Sequence, residues 1–138
     1  MTELSPESLI ARACEAMQQA HCPYSHFAVG AALLADDGTV IGGCNVENAS
    51  FGLTLCAERA ALVAAVARGI RAFAAMAIVA GGSSPPYPCG ACRQVMVELC
   101  PGTMPVYVAR ADDPDEFESF TVSSLLPHTF ALPAAEHL

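Results

Sequence analysis

Apolar residues recur at helical spacing through Leu9, Ile10, Ala13, Met17 and Ala20. They follow Ser5-Pro6-Glu7, which supplies an N-cap, a proline at the first helical position and an early acid. Pro23 closes this predicted helix. The short apolar run Ala28 to Ala35, the turn residues Asp36-Asp37-Gly38 and the segment Thr39 to Val46 predict a β-hairpin. Asn48 to Leu55 has no strong period and reads as a loop. Cys56 to Arg68 is Ala-rich and helical, closed by Gly69, and its small side chains favour close helix packing. Phe73 to Ala80 is continuously apolar, as a buried strand is. Residues 81–88 form a loop, Gly90 to Leu99 a helix, and Pro105 to Ala109 and Phe117 to Val122 strands around the acidic turn Asp112-Asp113-Pro114-Asp115. A turn of helix is expected at Ser123 to Leu126. The order α-β-β-α-β-α-β-β specifies an α/β domain with helices packed on a mixed sheet.

At 138 residues, the chain suits a single domain spanning 1–138. With 54% hydrophobic and 14% charged residues, disorder is not expected, and the apolar surplus favours self-association. The net charge is −8, and all six basic residues are Arg. No basic cluster exists to neutralise phosphates, so polynucleotide and anionic-membrane partners are excluded in favour of a small ligand that carries no negative charge. The loop at 81–88 lacks the Gly-Lys-Ser/Thr ending of a phosphate loop. The first residues lack the basic and apolar regions of a secretion signal, and no apolar run reaches membrane-spanning length. The expectation is a cytoplasmic protein whose seven Cys are reduced thiols, placed for metal or catalysis rather than for disulfides.

Two segments carry the chemistry: Cys56-Ala57-Glu58-Arg59 and Pro88-Cys89-Gly90-Ala91-Cys92-Arg93. Cys89 and Cys92, three apart at a helix start, can share a metal, and Cys56 at the start of another helix can supply a third thiolate. Helix N-termini lower thiol pKa values. Three ligands leave the fourth tetrahedral position for water, the arrangement of a catalytic site. Glu58 can face the same metal only from the first turn of its helix, because two residues mid-helix diverge by about 200°. From there its carboxylate can move a proton. Three thiolates and one zinc ion sum to −1, so Arg59 and Arg93, each beside a site residue, are expected to donate to the sulfurs. A four-ligand structural site would recruit Cys44, Cys100, Cys14 or His21, but it gives Glu58 no role.

Asn45 and Glu47, two apart at a strand end, share a face and can both engage a hydroxyl; the alternative is turn formation and capping. Cys14, Cys22, Cys44 and Cys100 read as small core or near-core side chains, and His21, His26, His128 and His137 as structural or surface groups. Gly30, Gly42 and Gly43 mark close backbone approach or a bulge.

C-A-E followed by P-C-G-A-C is a zinc-deaminase signature in its three-Cys form. With C-P-Y-S-H-F-A-V-G-A-A-L, G-C-N-V-E-N-A-S-F-G and L-L-P-H-T-F, the chain from Cys22 to Phe130 resembles the short, homotetrameric cytidine deaminases. The resemblance implies a three-layer α/β/α sandwich with a mixed, mostly five-stranded sheet. It also implies hydrolysis of cytidine and deoxycytidine to uridine and deoxyuridine in pyrimidine salvage. Cys56, Cys89 and Cys92 would hold one zinc ion per subunit, and Glu58 would shuttle protons. Asn45 and Glu47 would hold the sugar 3′-hydroxyl, Phe27 would lie against the nucleoside, and the Ala49 backbone would contact the base. Phe130 would reach a neighbouring subunit's site. Phe51 stands where many relatives carry Tyr, and the acidic stretch Ala111 to Phe120 matches poorly. Deaminases of blasticidin-type antibiotics share the zinc motif but depart around Asn45 to Phe51, and dispersed arginines argue against a nucleotide substrate.

Overall fold

A computed structural model describes residues 4–133; His137, read above as a structural or surface group, lies outside them. Helix α1 (Pro6–Met17) starts as the sequence requires, with the Ser5 side chain accepting from the Ser8 amide. It stops earlier than the apolar period suggests. The amides of Gln18, Gln19 and Ala20 each turn to the carbonyl three residues back, which tightens the chain before His21 pairs with Val46.

The strands are β1 (Val29–Ala35), β2 (Val40–Cys44), β3 (Phe73–Ala80), β4 (Pro105–Arg110) and β5 (Asp113–Thr121). They form one sheet in the order β2-β1-β3-β4-β5. Only β3 and β4 run parallel, joined through α3 (Gly90–Leu99); the other pairs are antiparallel. The β1–β2 hairpin turns at Gly38, whose φ of 92° favours glycine.

The core lies on both faces of the sheet, as β1 and β3 demand by being apolar at nearly every position. On one face α1 packs Leu9, Ile10 and Ala13 over Ala32, Leu34, Ala77 and Val79. On the other, α2 (Ala57–Ala67), α3 and α4 (Val122–Leu125) bury Ala61, Leu62, Met96 and Val122 over Leu33, Ile78 and Val106. This is the expected three-layer sandwich around a five-stranded mixed sheet.

Two glycines set the layer spacing. A Cβ on Gly30 would lie 2.6 Å from the Met17 amide nitrogen of α1, and one on Gly43 would lie 2.5 Å from the Ala61 amide nitrogen of α2. Gly43 thus lets α2, with its site residues, settle directly on β2.

Two local expectations are corrected. The loop at 48–55 contains a 3₁₀ turn at Phe51–Leu53. The turn expected at Asp112-Asp113-Pro114-Asp115 is tighter and earlier: the hairpin closes at Ala111-Asp112, and β5 begins at Asp113. An edge strand tolerates Pro114, and its carboxylates discourage edge-to-edge pairing.

Candidate metal centre and substrate cavity

Cys56 is the N-cap of α2 and Cys89 the N-cap of α3, so the N-terminal ends of both helices converge on one point. The Cys56 and Cys89 sulfurs are 3.9 Å apart, those of Cys89 and Cys92 are 3.5 Å apart, and all three lie within 4.8 Å of one another. Zinc–sulfur bonds of about 2.3 Å in a tetrahedron put sulfurs roughly 3.8 Å apart, so the geometry fits one zinc ion. Among the described residues this is the one group of three potential ligands so gathered.

The electrostatics point the same way. Cys56 is lowered to about 5, first by a hydrogen bond from the Cys92 thiol and then by Arg59. Cys92 is driven far up by that same hydrogen bond and by burial. Cys92 therefore holds its proton beside the Cys56 thiolate, and ionising it as well calls for a cation at the centre of the cluster. Arg59 donates from Nη2 to the Cys56 sulfur at 3.2 Å, as expected, while its Nε is buried without a partner. Arg93 departs from expectation. Its Nε donates to the Pro88 carbonyl and its Nη1 to the Leu125 carbonyl, both at 2.8 Å, so it braces the chain before Cys89 instead of meeting a sulfur.

Glu58, in the first turn of α2, is 4% exposed. Burial pushes its carboxyl up to about 7. It lines a cavity of about 230 Å³ together with Phe27, Asn45, Cys56, Cys89 and Tyr87. A group that exchanges a proton near neutrality thus stands beside the sulfurs.

Of the residues expected around a substrate, Phe27 and Asn45 line this cavity. Asn45 is 7% exposed and clamps the backbone beside Phe27: Oδ1 accepts from the Val29 amide at 2.9 Å, and Nδ2 donates to the Phe27 carbonyl at 2.8 Å. Glu47 lines an adjoining cavity with Tyr24, Ser25, Phe51 and Thr54, and Thr54 borders both. The Glu47 carboxylate accepts from the Tyr24 and Ser25 amides at 3.0 and 3.1 Å and from the Ser25 hydroxyl, which holds its pKa below the usual range. Both side chains therefore cap backbone groups on the segment that presents Phe27. Ala49 lies on an exposed bend and Phe130, 68% exposed, follows α4; neither is among the residues that line this cavity. Sequence reasoning missed Thr54, Pro86 and Tyr87 as cavity residues. The signal was position, since the loop after β3 opens at the carboxyl end of the parallel pair, where α/β sheets place ligands.

The family model for the cytidine and deoxycytidylate deaminase zinc-binding region matches residues 4–108. The chain is 51% identical over 125 residues to a cytidine deaminase of Sporosarcina psychrophila, covering 91% of this chain and 90% of that one. It is 52% identical over 124 residues to a cytidine deaminase of Halalkalibacterium halodurans, covering 90% and 92%. The crystal structure of cytidine deaminase from Burkholderia pseudomallei superposes with a TM-score of 0.88 at 46% identity, covering 92% of this chain and all of that one. A zinc-fitting trio of sulfurs, a buried carboxyl beside it and this likeness along most of the chain place the protein in the cytidine deaminase family.

Proposed function

We propose that the chain hydrolyses cytidine and deoxycytidine to uridine and deoxyuridine with release of ammonia, and that residues 1–138 act as one deaminase domain. The observation that carries this reading is the buried Glu58 carboxyl beside three sulfurs spaced for one zinc ion. Zinc, when bound by Cys56, Cys89 and Cys92, supplies Lewis acidity that brings the pKa of water toward about 7. Glu58 takes a proton from the attacking water and delivers it to ring N3 as oxygen adds at C4. It then takes the remaining proton from the C4 hydroxyl and passes it to the exocyclic amine, so that the C4=O bond forms as the C4–N bond breaks with ammonia as the leaving group. Its burial excludes bulk water from this transfer.

Phe27 packs against the nucleoside, Asn45 and Glu47 meet the sugar hydroxyl with the hydrogen-bonding capacity left after capping, and the Ala49 backbone meets the base. Asn45 and Glu47 also hold the segment that carries Phe27. Phe130 completes the site of a neighbouring copy in a homotetramer with one zinc per subunit. The exposed apolar side chains Phe51 at 75%, Leu53 at 69%, Phe130 at 68% and Leu132 at 67% support assembly. The acidic balance and reduced thiols fit a cytoplasmic enzyme of pyrimidine salvage. Among the described residues no helix is long and apolar enough to cross a membrane.

An ultraviolet assay with cytidine, deoxycytidine, a cytidine nucleotide and a blasticidin-type nucleoside tests this. The two nucleosides are turned over, and Glu58→Ala lowers the rate by at least about 10²- to 10⁴-fold. Near-normal turnover by that variant eliminates the mechanism. Bound zinc with no change in cytidine absorbance favours a structural zinc module or an antibiotic deaminase.

A further inference from the structure

The loop at 81–88 forms one wall of the substrate cavity through Pro86 and Tyr87 and leads directly into Cys89. It is held from three sides. At its start, a Cβ on Gly82 would lie 2.6 Å from the Phe27 ring, so the ring packs against bare backbone. Next, the Ser83 carbonyl accepts from Arg110 Nη1 at 3.4 Å, while the same guanidinium pairs with Asp112 at 2.9 Å.

The third tie is the most specific. The Tyr87 hydroxyl donates to Glu118 Oε2 at 2.5 Å, and the Tyr87 ring meets Phe120 edge to face, with centroids 5.9 Å apart and planes at 81°. Glu118 and Phe120 are two apart on β5 and therefore project from the same face of the sheet. That face is the one α3 covers, so both reach the loop that precedes α3. Tyr87 is gripped by its ring and by its hydroxyl at once. The acidic strand, which the sequence leaves without a role, thus reaches the cavity wall.

Resting on the deaminase reading above, we propose that Glu118 is a positioning residue that holds Tyr87 and its loop as a wall of the nucleoside cavity. Glu118 lies on β5, outside the cavity lining, so it acts through Tyr87. Tyr87 lines the cavity without belonging to the sulfur cluster or to Glu58. Loosening this wall weakens nucleoside binding while leaving the proton shuttle intact, so the effect falls on KM rather than on kcat.

Steady-state cytidine kinetics on the full-length zinc enzyme test this with Tyr87→Phe, Glu118→Leu, the double variant and Glu118→Gln. Tyr87→Phe and Glu118→Leu each raise KM about threefold to tenfold, the scale of one hydrogen bond, with kcat within about twofold. The double variant is no worse than either single one, and Glu118→Gln, which still accepts from the hydroxyl, stays near wild type. Additive effects, unchanged KM, or a Gln variant as impaired as Leu overturns the proposal. Amide exchange supplies a readout that does not depend on activity: residues 83–89 exchange faster in Glu118→Leu but not in Glu118→Gln. A wild-type enzyme inactive on cytidine would sink the deaminase reading, while unchanged exchange in Glu118→Leu would sink the role of Glu118.

Discussion

The Arg59 guanidinium lies 3.2 Å from the Cys56 sulfur, three residues away in the first turn of the same helix. Three thiolates around a divalent ion leave an excess negative charge, and this contact draws some of it off the metal. Arg59→Gln removes the charge while keeping most of the side chain's length. Zinc affinity measured by chelator competition, or turnover, falls by about 10- to 100-fold. Both unchanged would show that the guanidinium is only a packing element.

Glu58 gives the zinc-stripped chain a pH signature. A carboxyl raised in the folded state contributes stability that is full below its unfolded pKa and is lost as pH rises through its folded pKa, here about 7. Zinc-stripped wild type therefore loses up to about 3 kcal/mol between roughly pH 4 and 8 through this group. Glu58→Gln does not. Denaturant unfolding of both stripped proteins should give similar stabilities near pH 4, with the variant the more stable at pH 8. Parallel pH curves would contradict the assigned burial.

Gly43 couples the fold to the metal centre. A methyl group there collides with the Ala57 carbonyl and lies 2.9 Å from the Ala61 Cβ, so Gly43→Ala must push α2 off β2. Overpacking of this kind costs about 1–3 kcal/mol. Because α2 carries Cys56 and Glu58, zinc affinity falls along with stability. A stable Gly43→Ala protein with unaltered zinc binding would show that the approach of α2 is not constrained at that point.

The layers and the metal trio were legible because each rests on a local signal: continuous apolar runs for β1 and β3, N-cap positions for Cys56 and Cys89, and a three-residue step to Cys92. What was not legible depends on tertiary partners. The residues flanking Arg93 place it beside a ligand, yet its guanidinium is taken by two carbonyls, one from the end of α4. Asp112-Asp113-Pro114-Asp115 read as a turn, because strand propensity says little about an edge strand whose partner β4 supplies the pairing. Tyr87 is unremarkable as a loop residue until β5 brings Glu118 to its hydroxyl.

Phe130 lies on the exposed chain after α4, and the shared-site reading makes a mixing experiment decisive. Phe130→Ala and Glu58→Ala subunits are each impaired alone. Assembled together, a Glu58→Ala subunit lends its phenylalanine to a neighbour that keeps its own Glu58, and the mixture exceeds the sum of the two parents. Activity equal to that sum would mean that each subunit works with its own residues only.

Zinc titration into chelator-stripped protein, with cytidine deamination read at each addition, tests the central claim most directly. Activity rises from zero in proportion to added zinc and reaches its plateau at one ion per chain. Deamination by the stripped protein, or a saturated protein that leaves cytidine untouched, would contradict the account.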